Sequence, residues 1–426
     1  MKYYSIDKLS NKMPFIAAPL IGTETVTVLV MIKTGSKYEN RKESGLSHFL
    51  EHMFFKGTSK RPSAKLLSIE LDAIGGEYNA FTCKEYTGYW IKVASEKTEK
   101  ALELVSDMLL NSQFPAEEIE REKGVIVEEI NMYEDNPLMK IEDVFEECLY
   151  GDTPAGWDTA GTVANVKAFK RPDFIKYFTK QYGAKSSSLI VAGKLPKNIN
   201  RLAQKYFGIT PDNNWQDKVK VKEVQKVSAL KKVTKKTDQV TLSLGVRLGK
   251  FSEKDEFIVK MLAIVLGGSM SSRMFSEVRE RRGLAYFVRT NTELYSDTGY
   301  LTTAAGIKRG HEEEAVKVII SEYKKITKEL VLTDELRRTK DMIKGRMAIS
   351  LEASDDLASW YGRQLIYRKK YLSPEDYINI IEKISALDLK KMAQRIFTNA
   401  NLNLALIGSI STKLETNLKK ALTFND

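Results

Sequence analysis

Apolar positions along this chain follow two periods. TVTVLVMI (25–32) and EYTGYWIKVAS (85–95) read as period-two segments, which predicts strands of sheets with one face solvated or helix-covered. Elsewhere the spacing is helical. Ala64–Ile74 predicts a helix ended by Gly75, and Thr98–Leu110 carries apolar residues at helical intervals. Ala116–Tyr133 starts behind Pro115, with Glu117 and Glu118 in a first turn whose dipole favours acids.

The pattern occurs twice. TVTVLVMIKTG (25–35) resembles QVTLSLGVRLG (239–249) at an offset of 214, and YFTKQYGAKSSSLIVAG (177–193) returns as IFTNANLNLALIG (396–408). Each half opens on a strand and closes on an apolar strand ending in Gly. The expected class is α+β: two homologous α/β-sandwich domains, each a mostly antiparallel sheet covered by helices. The first domain spans 1–215 and the second 240–426. Between them the Lys-rich segment 216–239, without Gly or Pro, predicts an exposed, extended linker.

Composition narrows the class. With 42% hydrophobic and 29% charged residues among 426, the chain is of ordinary globular make-up. No apolar run approaches the ~18 residues of a membrane span. The stretch MKYYSIDKLSNKMPF predicts neither a secretory signal nor a transit peptide, so a cytoplasmic protein is expected. Its net charge of +11 comes mostly from Lys dispersed among acids, without a nucleic-acid motif; no nucleic-acid and no membrane partner is expected. Cys83 and Cys148 form neither a disulfide framework nor a CxxC site, and read as buried apolar side chains.

The chemistry lies in the three histidines, His48, His52 and His311. His48 and His52 flank Glu51 in GLSHFLEHMFFKGT (45–58), the order H-x-x-E-H. As a helix beginning near Ser44 and stopped by Gly57, this segment groups Leu46, Phe49, Leu50, Met53 and Phe54 on one face. His48, Glu51 and His52 group on the other, the two imidazoles one turn apart as a tetrahedral metal requires. A third ligand is needed. In EREKGVIVEEINMYED (120–135), Glu122, Ile126, Glu129 and Tyr133 share one helix face. Acids on an otherwise apolar face need a partner, which a dication or a neighbouring Arg or Lys supplies. Glu120 and Glu128 fall elsewhere on the wheel and read as surface acids. His311 opens a helical run and is assigned no role.

HFLEHMFFKGT followed by EREKGVIVEEI resembles the inverted-motif zinc metallopeptidases of the pitrilysin, insulin-degrading enzyme and mitochondrial processing peptidase family. The family's third ligand is a Glu with 76 residues between it and the second His, which is Glu129 here. The resemblance therefore implies one Zn²⁺ per chain on His48, His52 and Glu129, with Glu51 as catalytic base and Glu122 supporting the metal site. GGEYNAFTCKEYTGYW (75–90) resembles the family's substrate-binding edge strand. It implies main-chain contacts from Asn79, Ala80 and Phe81, with the Asn79 amide also offered. LGGSMSSRMFSEVRERRGLAYFV (266–288) resembles the C-terminal signature, implying that Arg279 and Tyr286 hold the substrate. Tyr286 would also donate to the oxyanion.

At an offset of 214, His48, Glu51 and His52 become Leu262, Val265 and Leu266, so the second half holds no such site. The implied activity is endopeptidase cleavage of peptides or extended unfolded segments. Two repeats in one chain resemble the half-length, dimeric subfamily, and the presence of both signatures implies a homodimer. A non-catalytic structural subunit, and a presequence-processing peptidase needing a separate partner subunit, are the alternative readings.

Overall fold

A computed structural model describes residues 4–368 and 370–424, which form two sheets in two compact units. The first sheet contains β1 (Ser5–Lys8), β2 (Pro14–Pro19), β3 (Thr25–Ile32), β4 (Glu77–Thr82), β5 (Thr87–Ala94) and β6 (Ser187–Gly193). Its order is β1-β2-β6-β3-β5-β4, antiparallel except between β2 and β6. The second contains β7 (Ala229–Thr234), β8 (Gln239–Arg247), β9 (Ala285–Leu294), β10 (Gly299–Lys308) and β11 (Leu402–Gly408). Its order is β7-β11-β8-β10-β9, antiparallel except between β7 and β11. From β2 onward the first sheet has the same order and sense of strands as the second. The α+β, mostly antiparallel architecture expected from the repeat is the one observed.

Strand β3 covers the predicted range and is buried along nearly all its length. Helices α1 (Leu46–Met53), α2 (Ala64–Ala73), α3 (Thr98–Asn111) and α4 (Ala116–Asp135) contribute to a core with Val26, Val28, Val30 and Ile32. The alternate residues Leu29 and Met31 join a second core with Leu357, Ala358 and Tyr361 of the helix Ser354–Tyr367. Period two thus sends successive side chains into separate cores. Gly362 lets that helix lie close to the sheet: a Cβ there would stand 2.9 Å from Met31 Cγ and 3.1 Å from Leu29 Cδ2.

The units are not contiguous in sequence. The first takes residues up to Ile130, Asp158–Val219 and Arg346–Pro374; the second takes Asn131–Trp157, Lys220–Gly345 and Glu375 onward. A cut at the linker would assign α5 (Pro137–Tyr150) to the first sheet. Instead its Ile141, Val144, Phe145 and Leu149 pack with Ala405 and Ile407 of β11. The helix Ser354–Tyr367 makes the reciprocal exchange onto β3 and β6. The 216–239 segment is extended and largely exposed at first, but Ala229–Thr234 pairs with β11 as β7. That pairing satisfies backbone groups which a solvated linker would leave to water.

Cys83 and Cys148, read as buried apolar side chains, are half-buried and lie outside any disulfide. Among the described residues no helix is long and apolar enough to cross a membrane.

A substitution that overfills the gap at Gly362 tests the exchange-helix contact. Gly362→Leu is expected to destabilise the chain by about 1–3 kcal/mol, read from the denaturant midpoint at unchanged slope.

Candidate metal centre

Helix α1 presents two faces, as its wheel predicts. Leu46, Phe49, Leu50, Met53 and Phe54 on its core side are no more than 1% exposed. Each such side chain adds roughly 1.5–3 kcal/mol of burial, which fixes the helix's rotation. His48, Glu51 and His52 are then forced to the other side. The helix begins at Gly45 (φ +96°), which has no side chain to cap the first turn. A Cβ there would meet the Ala160 carbonyl oxygen at 2.5 Å, so the position requires glycine on both counts.

The missing cap comes from Glu39. Its carboxyl group, in a residue 3% exposed, accepts the Gly45 N–H at 2.8 Å and the Ser47 N–H at 2.6 Å. Leaving a buried N–H without an acceptor costs about 1–3 kcal/mol. Burial pushes the Glu39 pKa up to about 8 against the pull of those N–H groups. Sequence reasoning missed this residue because no periodicity links it to the helix it caps.

Helix α4 brings the carboxylates. Glu129 Oε2 lies 3.5 Å from His48 Nε2 and 3.5 Å from His52 Nε2. One donor atom from each of the three residues lies within 4.8 Å of the others. Ligands sharing a tetrahedral ion at bonds of about 2 Å stand roughly 3.3 Å apart, so the donor set fits Zn²⁺ in identity and spacing. Glu122, 5% exposed on the same helix face, accepts from His52 Nδ1 at 2.9 Å. Its other oxygen takes the Lys56 ammonium at 2.6 Å. Glu120, read as a surface acid, pairs with Lys123 at 2.7 Å.

Within this group of side chains two buried polar atoms have no hydrogen-bond partner, Glu51 Oε2 and His48 Nδ1.

The electrostatics of the cluster follow from these contacts. Burial works against charge on His52, but its hydrogen bonds to Glu122 and Glu129 outweigh it and lift the pKa to about 9. His48 and His52 hold the Glu129 carboxyl well below the usual range. Burial raises Glu122, yet His52 and Lys56 bring it below its ordinary value. The acids are therefore ionised and compensated by cations.

Strand β4 is the open edge of the first sheet. Tyr78 and Ala80 pack toward the core that includes α1, whereas Phe81 turns to the opposite core, its ring over Gly88. Asn79 Oδ1 accepts the N–H of Ala80 at 2.8 Å, so the amide oxygen is already engaged. In the second unit, Arg279 lies on a π-helical turn, Phe275–Glu280. Its guanidinium stacks over the rings of Phe275 (4.7 Å) and Tyr286 (5.3 Å), and Tyr286 is 77% exposed. The structure thus gathers His48, Glu51, His52, Glu122 and Glu129, and separately pairs Arg279 with Tyr286. Leu262, Val265 and Leu266 are buried apolar residues of the helix Glu253–Gly267.

Comparison with known proteins follows the same division. The sequence model described as "Insulinase (Peptidase family M16)" matches residues 17–163, and that described as "Peptidase M16 inactive domain" matches 168–343. An uncharacterized zinc protease of Rickettsia felis is 33% identical over 95% of this chain and 97% of its own. The uncharacterized zinc protease YmxG of Bacillus subtilis is 33% identical over 88% and 91%. Among solved structures, a protease from Helicobacter pylori superposes with a TM-score of 0.89 at 23% identity, over 95% of this chain and 99% of that one.

The raised pKa of His52 carries a consequence for metal uptake. A metal ligand must be a neutral imidazole, and below about pH 9 this one is protonated in the chain by itself. Binding then displaces a proton, so affinity is expected to tighten about tenfold per pH unit up to that pH and level off above it. Glu129, ionised throughout, adds no slope. Chelator-competition titrations across pH check this, and a flat profile from pH 6 to 8 would contradict it.

Proposed function

The chain belongs to the M16 insulinase family of peptidases, and on that premise we propose that it is a zinc-dependent endopeptidase acting on peptides or extended unfolded segments. The observation that carries the reading is the convergence of His48 and His52 Nε2 on one Glu129 oxygen, 3.5 Å from each. His48, His52 and Glu129 would hold one Zn²⁺ per chain. Bound there, such an ion would supply Lewis acidity and lower the pKa of a water to about 7.

The other steps belong to side chains of this chain. Glu51, with a buried oxygen free of other partners, would be the base that takes a proton from the attacking water. It then returns that proton to the leaving amine. Glu122 holds the His52 ring by its Nδ1–H, leaving Nε2 as the ligating atom. The open edge of β4 takes an extended substrate main chain through Asn79, Ala80 and Phe81, as edge strands do in β-augmentation. The Asn79 side chain must then release the Ala80 N–H it holds. Arg279 and Tyr286 are assigned to holding the substrate, with the Tyr286 hydroxyl donating to the oxyanion. Support for that pair is its own stacking and the exposure of the tyrosine. Because substrate must be extended, folded proteins are expected to be poor substrates. One chain carrying both signatures favours a homodimer active without a second gene product.

Glu51→Gln is expected to retain one zinc per chain yet lower peptide cleavage by about 10²–10⁴-fold, the usual worth of a general base. Metal analysis and product mass spectrometry on a diverse peptide pool check both. Bound zinc without any cleavage by the wild type would assign the chain a structural role instead. Assayed alone, the purified chain is expected to cleave the pool and to sediment as a dimer; activity that appears only on adding another subunit would refute self-sufficiency.

A further inference from the structure

The two imidazoles of the candidate metal centre are not held alike. His48 Nδ1 is buried without a partner among the described residues. His52 Nδ1 meets Glu122 Oε1 at 2.9 Å, and Glu122 Oε2 meets Lys56 Nζ at 2.6 Å. Lys56 stands one helical turn beyond His52, in the turn that follows α1, where its N–H donates to the Met53 carbonyl at 3.2 Å. One buried carboxylate therefore joins the end of α1 to one of its own histidines through the facing helix α4.

We propose that Lys56 is a positioning residue for metal binding, acting through Glu122 to fix the ring and tautomer of His52. This rests on the metal-site reading above and extends it beyond the ligand set.

Three observations carry the inference. The first is charge. Glu122 and Glu129 face α1 from one side of α4, and Lys56 is the cation set directly on Glu122. The second is geometry. Each Glu122 oxygen has its own donor, so the carboxylate is pinned at both ends and its Nδ1-facing oxygen cannot rotate away. The third is burial. The Glu122 side chain is 7% exposed and that of Lys56 is 23% exposed, so the pair is shielded where open surface pairs are not. With Nδ1–H committed to Glu122, Nε2 is the His52 atom that faces the point shared with His48 and Glu129. His48 has no such support, which makes His52 the pre-organised anchor.

The test measures metal affinity rather than peptide cleavage. Zn²⁺ binding to the full chain is titrated against a chelator for wild type, Lys56→Met and Lys56→Arg, with the Co²⁺ absorption spectrum as a report on ligand geometry. Lys56→Met is expected to weaken binding by about 10–100-fold and to alter the Co²⁺ bands, as loss of support around a ligand does. Lys56→Arg, which keeps the charge, is expected to recover most of the affinity. Metal-free melting of both variants is expected to match wild type. In a Glu122→Gln background, Lys56→Met is expected to add little further loss, because the two act in series.

Unchanged affinity and spectrum in Lys56→Met would overturn the proposal. So would a full additional loss in the Glu122→Gln background, or an affinity loss matched by lower metal-free melting and not relieved by Arg. If the wild type itself binds no Zn²⁺, the proposed function falls and this inference with it; if only the Lys56→Met effect is missing, the inference falls alone.

Discussion

A carboxylate stays ionised in a half-dry cleft only if something answers its charge. Helix α4 places Glu122 and Glu129 against α1, where Glu51 already stands, so three acids share one small volume. The answering groups are the two imidazoles and Lys56, all from α1 or the turn after it. The pairing of these helices is thus an electrostatic fit laid over an apolar one. Ile126, on the same face of α4 as Glu122 and Glu129, is fully buried among the residues of the α1 core. The apolar contact sets the distance; the charged contact requires cations, of which a metal is the most concentrated.

Both ends of α1 are tied. At its start Glu39 replaces the side-chain cap that Gly45 lacks. Ser47, one of the residues so held, also bonds the Tyr177 hydroxyl at 2.8 Å. Past its end, the turn continues to Thr58, whose hydroxyl donates to Asp107 at 2.6 Å while its N–H donates to the Arg61 carbonyl at 2.7 Å. Arg61 in turn reaches Glu70, Glu103 and Asp107. A two-turn helix has little stability of its own. Its rigidity comes from these anchors, and a metal site needs that rigidity because ligand positions must hold to within a fraction of an ångström.

How much of this was legible in the residues depends on the range of the interaction. The wheel of 45–58 separates His48, Glu51 and His52 from the core because burial acts on every turn of a helix, and the observed exposures repeat that division. Strand β3 and the closing strands β6 and β11 follow their apolar runs for the same reason. Glu122 was legible as an acid on an apolar face. Lys56 and Glu39 were not: one is an ordinary Lys in a turn, the other an acid in a loop, and only tertiary folding brings each to its partner. The reciprocal exchange of α5 and the helix Ser354–Tyr367 was equally hidden. Their apolar faces predict burial but not which sheet provides it, and the repeat, being symmetric, leaves both sheets as plausible hosts.

The duplication also shows where chemistry is separable from fold. Both sheets keep the same strand order from β2 and from β7, yet the counterpart of α1 is the mostly apolar end of the helix Glu253–Gly267. Replacing His, Glu and His by Leu, Val and Leu converts a site that must be electrically compensated into ordinary core, with no change of scaffold. What the second unit retains instead is an irregularity. A π-helical turn widens the backbone at Phe275–Glu280, and such turns survive chiefly where they aim a side chain. Here the side chain is Arg279, with the ring of Phe275, 9% exposed, at 4.7 Å and the ring of Tyr286 at 5.3 Å. A tyrosine 77% exposed adds little to the core, and a guanidinium over its face restricts it without hiding its hydroxyl. The second copy thus carries buried apolar residues at the positions of His48, Glu51 and His52, and holds Arg279 and Tyr286 by contacts of its own.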